Sequence, residues 1–409
     1  MNILYINHYA GSPQVGLVFR PYYMAKEWIK QGHQVCIVGG SYSHLRIQQP
    51  KVFKDCTIQT VDEVKYCWLK TPRYSSSGLK RFLSMIVFIM KLYRYKNKLI
   101  QILHPDVVIA SSTYPIDIYP ARYIAKKCNA KLCFQLHDLW PLSPMEIGGY
   151  SKYHPFIMLM QAGENYACKH SDVIVSVLGN AKQHLISHGM CPEKFHHVAN
   201  GFSIEEWKDS NEKLPKSIED LLEQLKKQEK FIIGYAGGIK PSNAMKTWVD
   251  AAMSLKENKR ISFVSVGTGS ELDMLRKYSL DNDLDNIYFC PSIEKKYIHS
   301  FLKYCDVLYQ GGVHSKLHQH GISPIKIPDY MLAAKPIILS ADVENEIVDR
   351  VGCGITVPAE DSEAVKNAIL TLMAMSQEEI KQMGKRGQEY AFRELSYENL
   401  SQKFIQALS

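Results

Sequence analysis

The sequence predicts an α/β protein with two doubly wound domains, each a parallel sheet covered by helices on both faces. The chain has 409 residues, roughly twice the size of a common domain. Short apolar runs alternate with helical segments through both halves, as strands and helices do in doubly wound folds. The runs are apolar throughout rather than alternately polar, which is typical of parallel strands buried on both faces.

The first half of the chain contains a regular series of such runs. Residues 2–7 form the first, followed by a Gly/Ser/Pro loop and a helix from about Arg20 to Lys30. QVCIVGG then ends in two glycines and completes a strand–helix–strand unit. The later runs of this half, separated by helical segments, lie at 106–112, 131–136, 172–177 and 192–202.

The composition changes at residues 203–230, which are rich in Glu, Lys, Asp and Ser, and we interpret them as a linker with a surface helix. A second series follows, at 231–238, 261–267, 286–290, 306–312, 336–340 and 354–357. We therefore expect an N-terminal domain of residues 1–205 and a C-terminal domain of residues 206–387. The final helices, 388–409, are expected to pack back on the first domain.

Composition excludes several classes of protein. The ten cysteines are scattered without a C-x-x-C pair, so we interpret them as free buried thiols rather than disulfides or zinc ligands. The N-terminal residues lead directly into an apolar run and lack the layout of a signal peptide. No apolar run approaches the roughly 20 residues of a membrane span. We therefore expect a cytoplasmic protein.

The positive charge is concentrated in one region. Residues 64–105 hold nine Lys or Arg and no Asp or Glu, whereas the whole chain has a formal net charge of +8. Within this region, a predicted helix at 78–98 combines large apolar residues with Lys80, Arg81, Lys91, Arg94, Lys96 and Lys98. Such a helix can lie on an anionic bilayer, or it can be a core helix with basic ends. Nucleic acid is not expected as a partner, because no binding motif accompanies the charge.

The most informative segment is 311–338. It contains a glycine pair and then GISPIK before a helix expected to start at Pro328, since proline suits the first helical position. Lys326 precedes that helix, and a lysine beside unpaired backbone N–H groups can bind a phosphate. An ordinary strand–helix loop, with Asp329 complementing the helix dipole, is the alternative. The segment also contains three histidines, which we interpret as a solvated loop rather than a metal site: His314, His318 and His320.

The sequence resembles a known enzyme family in this segment. GISPIKIPDYMLAAKPII is similar to the donor-binding signature of family 4 retaining glycosyltransferases of the GT-B fold, particularly the WbuB-like enzymes of bacterial surface-polysaccharide synthesis. Further stretches resemble the same family in the right order, at 20–46, 136–141, 266–277 and 291–310. The resemblance covers nearly the whole chain and implies two facing Rossmann-like domains with a cleft between them.

The resemblance implies roles for individual residues of the donor site. Lys326, with the backbone around Ile322 and Ser323, is expected to contact the donor diphosphate. Asp329 falls on the second acid of the family's Glu–seven residues–Glu motif, which binds the ribose hydroxyls. The first acid is replaced here by Gly321, and the neighbouring His320 is a candidate substitute.

A second departure lies in YAGGIKPSNAMK, residues 235–246. Many family members carry an Arg and a Lys for the phosphates there, whereas the matching positions here are Gly238 and Asn243. Lys240 and Lys246 lie nearby as candidate substitutes. Three further residues are assigned to the donor site by the resemblance: Gly11, Gly237 and Ile293.

His137 and Asp138 follow an apolar strand, so their side chains should project from the carboxyl end of the sheet. A histidine in this place is structural in many proteins, but the resemblance makes His137 a catalytic-site contact to the transferring sugar or the acceptor. Asp138 could orient the imidazole or act as a base toward the acceptor hydroxyl.

Three other patterns are weaker. Asp281-Asn282-Asp283 has the D-x-D spelling of a metal site in a different glycosyltransferase fold, but Asp and Asn are ordinary turn residues between a helix and a strand. Gly267-Thr268-Gly269 lacks the third glycine of a dinucleotide-binding loop. Glu164 matches a commonly acidic position of the family, and we interpret it as part of a solvated helix face.

The resemblance therefore predicts transfer of a hexosyl or N-acetylhexosaminyl group from a nucleotide diphosphate sugar to a glycan or polyprenyl-diphosphate-linked acceptor. Uridine is the expected base of the donor. It implies retention of anomeric configuration, without a metal or a cofactor. Lipid-linked acceptors favour a peripheral position on the inner face of a bacterial plasma membrane. Two alternatives stay open: a nucleotide-sugar 2-epimerase of the same fold, and a non-catalytic membrane-associated subunit.

Overall fold

The computed structural model describes residues 1–16, 20–74, 78–209, 212–343 and 347–409. The chain forms two compact units. Unit 1 consists of Met1–Ala199 and Tyr397–Ser409, and unit 2 consists of Asn200–Ser396. The first unit thus ends at Ala199 rather than at residue 205, and the returning segment begins at Tyr397 rather than at residue 388.

Unit 1 contains one large sheet. Its strands are β1 (Asn2–Ile6), β2 (Gln34–Gly40), β3 (Thr57–Val61), β4 (Val64–Leu69), β5 (Val107–Ala110), β6 (Lys131–Leu136), β7 (Val173–Ser176) and β8 (Phe195–His197). They are arranged in the order β3-β4-β2-β1-β5-β6-β7-β8. All neighbours are parallel except β3 and β4, a pair that the apolar runs did not predict. Strand β3 forms the edge and alternates half-buried with exposed residues, so it lacks the continuous apolar signal.

The helices of Met1–Ala199 alternate with these strands along the chain. They are α1 (Arg20–Lys30), α2 (Leu79–Leu103), α3 (Ile118–Cys128), α4 (Leu142–Glu146), α5 (Pro155–His170) and α6 (Lys182–Ser187). The longest of them, α2, buries Phe88, Leu92 and Leu99 in the core. No helix in the described ranges combines the length and the apolar character that crossing a bilayer requires.

Unit 2 contains a fully parallel sheet. Its strands are β9 (Phe231–Ala236), β10 (Ile261–Val266), β11 (Ile287–Cys290), β12 (Val307–Gly311), β13 (Ile337–Ser340) and β14 (Gly354–Val357). They are arranged in the order β11-β10-β9-β12-β13-β14. Each was predicted from a run of buried apolar residues, and the predicted α/β class with parallel sheets is confirmed.

The helices of unit 2 begin in the predicted linker. They are α7 (Ile204–Asp209), α8 (Lys216–Lys227), α9 (Met245–Ser254), α10 (Leu272–Asp281), α11 (Lys295–Tyr304), α12 (Ile327–Leu332), α13 (Ile347–Val351), α14 (Ser362–Ala374) and α15 (Gln377–Tyr390). The linker prediction was incomplete, because two helices lie there and α8 buries Ile218, Leu222 and Leu225. Residues 210–211 of the predicted linker lie outside the described residues.

The last helix, α16 (Tyr397–Leu408), belongs to unit 1. It packs on α1, where the Phe404 ring meets the edge of Trp28 at 5.1 Å between centroids. The indole N–H of Trp28 donates to the carbonyl of Ser401 at 3.2 Å. Burial of two large aromatic residues attaches the end of the chain firmly to unit 1.

Each sheet has one point at which the direction of chain progression reverses. In unit 1 it lies between β1 and β5, and in unit 2 between β9 and β12. The loops that leave two such neighbouring strands run to opposite faces of the sheet, which opens a crevice at the carboxyl ends of the strands. A ligand site is therefore expected at each of these two switch points.

The cysteines fit the prediction made from their spacing. All ten are free, and eight of them are buried. Cys128 is half-buried and Cys191 is exposed. The prediction of free thiols is therefore confirmed.

Candidate active site

Lys326 lies at the switch point of unit 2. Its Nζ donates to Oε1 of Gln310 near the end of β12, at 3.3 Å. The same ammonium group lies 4.9 Å from the ring centre of Tyr235 in β9, a cation–π distance. The lysine is therefore held against both strands that diverge at the switch point.

Gly237, directly after β9, leaves the space that this lysine occupies. Its φ is +147°, and a Cβ at this position would lie 2.2 Å from Cε of Lys326. Any side chain would therefore displace the lysine, and only glycine adopts this backbone region readily. The resemblance placed Gly237 in the donor site, and the geometry supplies a physical reason for glycine there.

The surroundings of Lys326 disfavour its charge. Burial, assisted by the positive charge of Lys240, lowers the pKa of Lys326 to about 8. The neighbouring carboxylate of Asp329 lies instead 3.9 Å from Lys295. No carboxylate in the described part of the chain is close enough to Lys326 to offset the loss of hydration. A lysine in this environment favours an anionic ligand, since a phosphate would stabilise its charged form.

The loop after β9 is fixed by two side chains. The carbonyl of Gly238 accepts hydrogen bonds from Tyr235 Oη at 2.6 Å and from Asn243 Nδ2 at 2.7 Å. Asn243, at a position where the family carries a basic residue, thus serves to hold the loop. Lys246 cannot substitute for the missing charge, because it is paired with Asp250 at 2.7 Å. Lys240, which is exposed beside Gly238, is the candidate that is left.

The Gly267-Thr268-Gly269 turn supports this loop from the side. A Cβ at Gly267 would lie 1.9 Å from the carbonyl oxygen of Gly237, and one at Gly269 would lie 2.0 Å from that of Ile239. Ile239 in turn donates its N–H to the Thr268 carbonyl at 2.9 Å. The two glycines are therefore needed for close backbone packing, which explains a G-x-G pattern without a dinucleotide.

Gly321 has a conformation that only glycine adopts readily, with φ 88° and ψ 163°. After Ile322, the next residue, Ser323, is anchored by Asn200. The Ser323 hydroxyl accepts from the Asn200 N–H at 3.0 Å, and its carbonyl accepts from Asn200 Nδ2 at 2.8 Å. Asn200 therefore holds the backbone expected near the donor phosphates. The family's first acid cannot occupy position 321 without strain.

Gly321→Glu, which restores the acid of the family motif, is expected to destabilise the protein rather than to improve it. The strained backbone should reduce the free energy of unfolding by about 1–3 kcal/mol. Urea denaturation of the variant measures this loss, with Gly321→Ala as the matched control for strain without charge. Wild-type stability together with tighter donor binding would contradict the structural explanation.

Asp329 lies in the first turn of α12, which begins at Ile327 rather than at Pro328. Its neighbour Lys295 starts α11, so Asp329 lies close to the loop that carries the partly exposed Ile293. Asp329 and Ile293, two residues that the resemblance assigns to the donor site, therefore come from adjacent segments. Because α12 has only six residues, its dipole is small, and we assign the phosphate interaction to Lys326 rather than to the helix end.

The three histidines of the segment 311–338 differ from one another. His314 is exposed and lies 2.6 Å from a carboxylate oxygen of Asp342. His318 is half-buried against Gly312, and burial lowers its pKa. His320 ends a short turn directly before Gly321 and is half-buried. The interpretation as a uniformly solvated loop was thus wrong for His318, because the loop folds onto the glycine pair.

Next to the switch point of unit 1, His137, which directly follows β6, forms a hydrogen-bonded chain. Its Nε2 lies 2.8 Å from Oγ of Ser111, which donates to Gln135 Oε1 at 3.1 Å. Ser111 then accepts from the imidazole, so the proton is assigned to Nε2 and Nδ1 is an acceptor. Burial and the charge of Arg20 lower the pKa of His137 to about 3. The ring is therefore neutral at physiological pH.

Asp138 does not orient this imidazole, contrary to one of its two predicted roles. Its Oδ1 accepts a hydrogen bond from Ser143 Oγ at 2.5 Å, and Ser111 is the partner of His137. Burial raises the pKa of Asp138, although the Ser143 hydroxyl opposes this shift. The chain turns sharply after His137, which directs the carboxylate toward its own loop.

The loop that contains Gly11 is held by two residues that the sequence did not reveal. The carbonyl of buried Gly11 accepts from Tyr66 Oη at 2.9 Å. Arg46, itself buried, donates to the carbonyls of Ala10 and Gly40, each at 2.9 Å. Buried charged groups need such partners. In the sequence, the only sign of this role of Arg46 in holding the loop was its place as a basic residue at the end of the stretch 20–46, which resembles the family.

Comparison with known protein families agrees with this geometry. Residues 16–206 match the family described as Glycosyltransferase Family 4, and residues 217–390 match the family described as Glycosyl transferases group 1. The two matches together span most of the chain. The chain belongs to the family 4 glycosyltransferases.

Solved structures show the same fold over the full length of this glycosyltransferase. HepE of Anabaena, solved in complex with UDP, is 14% identical with a TM-score of 0.72, covering 100% of this chain and 99% of its own. Sucrose-phosphate synthase of Thermosynechococcus elongatus is 14% identical with a TM-score of 0.74, covering 99% and 97%. A trehalose-6-phosphate structure from E. coli, bound with UDP-2-fluoro glucose, is 13% identical with a TM-score of 0.75, covering 99% and 98%. The predicted GT-B fold is confirmed. No match was found among curated proteins at the level of sequence.

The basic helix α2 of this glycosyltransferase has a buried apolar face, and its basic side chains lie in different surroundings. Arg81 lies 5.5 Å from the Tyr9 ring and 5.7 Å from the Trp140 ring, which places it beside the loops that follow β1 and β6. Lys91 is paired with Asp55 at 2.8 Å, and Lys96 lies over the Tyr123 ring at 4.6 Å. The remaining basic side chains of the set are exposed: Lys80, Arg94 and Lys98.

Proposed function

We propose that this glycosyltransferase uses a UDP-sugar as its donor and binds the diphosphate through Lys326. The observation that carries the proposal is a lysine at the unit 2 switch point whose charge is disfavoured by burial and is offset by no carboxylate among the residues that the structure describes. HepE has been solved with UDP-glucose as well as with UDP, which supports the choice of uridine. Asp329 then binds the ribose, and Lys240 adds charge beside the phosphates.

The proposed reaction retains the anomeric configuration and needs neither a metal nor a cofactor. Lys326 stabilises the negative charge that develops on the departing diphosphate, a form of electrostatic catalysis. The neutral His137 offers Nδ1 as an acceptor for a hydroxyl of the transferred sugar or of the acceptor. The acceptor oxygen attacks from the same face that the diphosphate leaves.

The proposed acceptor is a polyprenyl-diphosphate-linked glycan of bacterial surface-polysaccharide assembly. Arg81, lying against the Tyr9 and Trp140 rings, is suited to bind its diphosphate. Contact of the Phe82 and Phe156 rings, 5.7 Å apart, joins the start of α2 to the start of α5. Around this junction unit 1 exposes Leu79, Leu83, Met90, Ile147, Tyr150, Tyr153 and Met158. A surface that combines apolar and basic side chains favours an anionic bilayer.

Replacing Lys80, Arg94 and Lys98 with glutamine is expected to weaken binding to anionic vesicles by roughly 100-fold at low salt, at about 1 kcal/mol for each charge near the surface. Lys91 is retained, because its removal would break the pair with Asp55. Sedimentation with phosphatidylglycerol vesicles measures the loss. The control changes exposed lysines of unit 2 by the same net charge: Lys227, Lys277 and Lys381 to glutamine. Equal losses in both triple variants would refute a specific membrane surface.

The proposed activity is tested by incubating the protein with UDP-sugars and a polyprenyl-diphosphate-linked monosaccharide. Mass spectrometry should show a lipid product that is one sugar longer. NMR of this product should show that the new glycosidic bond has the same anomeric configuration as the donor. Conversion of the donor without any acceptor would instead identify a 2-epimerase. Binding of UDP with no turnover of any donor would favour a non-catalytic subunit.

A further inference from the structure

A buried carboxylate and two histidines meet in unit 1, away from the residues assigned above. Glu164 of α5 is fully buried, which contradicts its interpretation as part of a solvated helix face. Its Oε1 lies 2.9 Å from Nε2 of His184 in α6, and its Oε2 lies 3.7 Å from Nε2 of His188 directly after α6. Burial of a carboxylate is costly unless a cation or several donors surround it.

The histidines are arranged as metal ligands are on a helix. His184 and His188 are four residues apart, so both side chains lie on one face, and their rings are 4.4 Å apart. One potential ligand atom from each of the three residues lies within 4.8 Å of the other two. Two ligands of tetrahedral zinc, each at roughly 2.0–2.1 Å from the metal, are about 3.3 Å apart. The distances from the Glu164 carboxylate oxygens to Nε2 of His184 and of His188, 2.9 Å and 3.7 Å, lie on either side of that value.

The hydrogen bonds around the cluster orient its ligand atoms. Nδ1 of His188 lies 2.8 Å from the carbonyl oxygen of His184, so it must carry a proton. In the neutral ring, Nε2 then presents a lone pair toward the carboxylate of Glu164, and the two repel each other. Gln161 Nε2 donates to Oε2 of Glu164 at 2.8 Å and fixes the carboxylate. Backbone and amide partners of this kind hold the outer atoms of metal ligands in many proteins.

We propose that Glu164, His184 and His188 bind a divalent transition metal, with zinc as the best fit, and that water completes the coordination. Imidazole and carboxylate ligands suit zinc, cobalt and nickel, whereas magnesium and calcium prefer sites made only of oxygen. The competing arrangement is a purely hydrogen-bonded one, in which the side chains of His184, His188 and Gln161 surround the Glu164 carboxylate without a metal.

The proposed site joins α6 to α5. Helix α6 has only six residues and starts without a side-chain cap, so little local structure stabilises it. A metal held by one ligand from α5 and two from the region of α6 would fix the segment that follows β7. The metal is thus assigned a structural role, separate from the sugar transfer proposed above.

The test measures zinc binding to the full chain, purified without a histidine tag and stripped with EDTA. Calorimetry should show one zinc per chain, and cobalt substituted for zinc should give the visible absorption of a low-symmetry site. Glu164→Gln and His184→Gln should each weaken zinc binding at least tenfold. His314→Gln is the matched control, because His314 is also paired with a carboxylate, and it should leave the affinity unchanged.

Thermal unfolding separates loss of the site from loss of the fold. Zinc should raise the melting temperature of the wild type and of His314→Gln, and it should not raise that of folded Glu164→Gln. A variant that fails to fold is replaced by His188→Gln, whose ring is the more loosely placed of the two. Absence of zinc binding in the wild type, or equal binding in Glu164→Gln, would overturn the proposal and leave hydrogen bonds among the three side chains as the explanation of the cluster.

Discussion

Replacing Lys326 with methionine is expected to weaken the binding of UDP by roughly 10- to 150-fold, the range for loss of a charged hydrogen bond of about 1.5–3 kcal/mol. Methionine keeps most of the apolar stem against Tyr235 and removes the ammonium group. Calorimetry at pH 7 measures the change. Lys246→Met is the matched control, because Lys246 is already paired with Asp250 and should contribute little. Unchanged affinity in Lys326→Met would remove Lys326 from the donor site.

The pH dependence of UDP binding provides a second measurement on the same residue. The pKa of Lys326 in the free protein is about 8, so the amine loses its proton between pH 7 and pH 9. Only the protonated form attracts the diphosphate, and wild-type affinity should therefore fall as the pH rises through this interval. The Lys326→Met variant should lack this decrease. A parallel decrease in both proteins would assign it to another group.

The Lys326→Met substitution should increase the stability of the free protein although it weakens UDP binding. The pKa of Lys326 is depressed in the folded protein, from 10.5 to about 8, so folding is penalised at pH 7 and the penalty disappears as the pH rises toward 10.5. Removing the charge should raise the melting temperature of the free protein at pH 7, while UDP should stabilise the variant less than the wild type. A less stable variant would show that the contacts with Tyr235 and Gln310 outweigh burial of the charge.

Replacing His137 with alanine is expected to reduce kcat by about 100- to 1000-fold, as does removal of one positioned hydrogen-bonding group from an active site. The affinity for UDP should change little, because Lys326, Asp329 and Lys240, the side chains proposed to bind the nucleotide diphosphate, lie in unit 2. The His137 imidazole is neutral, with a pKa of about 3, so the rate should show no titration of this group between pH 5 and pH 8. Initial rates with saturating donor and acceptor measure both effects.

Two variants act as controls for His137. His170→Ala removes a histidine at the end of α5 and should leave kcat unchanged. Ser111→Ala removes the hydrogen-bond partner of the ring and should lower kcat less than His137→Ala, because the imidazole itself is kept. Retention of more than a third of the wild-type rate by a folded His137→Ala would show that the histidine is structural.

Much of the local structure could be predicted from the sequence. Continuous apolar runs located the strands of unit 2, since a strand buried on both faces needs no polar alternation. Prolines and glycines located the turns, including the region before α12, where Pro328 occupies the first helical turn. The edge strand β3 was missed because half-buried and exposed residues interrupt the apolar pattern, and its antiparallel partner β4 was missed with it. The resemblance to family 4 glycosyltransferases then drew attention to Lys326 and to the missing acid at Gly321.

The surroundings of these residues could not be predicted in the same way. Tyr235 and Gln310 reach Lys326 only because β9 and β12 are neighbours in the sheet. Lys246 looked as suitable as Lys240 until the helix placed Asp250 beside it. Asp138 follows His137 directly, yet its carboxylate bonds to Ser143. In each case the decisive contact depends on the direction of a side chain, which residue type and spacing do not determine.

The segment that carries Lys326 illustrates the division most clearly. The sequence alone determined its place between a strand and a helix, its positive charge and the absence of the first acid, because all three depend on neighbouring residues. Only the tertiary structure decided that Lys326 is buried against Gly237 and that Glu164 faces two histidines. It also decided that the backbone at Gly321 has a conformation that an acidic residue adopts only with strain. Burial and backbone strain arise from contacts between segments distant in the chain, and those contacts exist only after the sheets have formed.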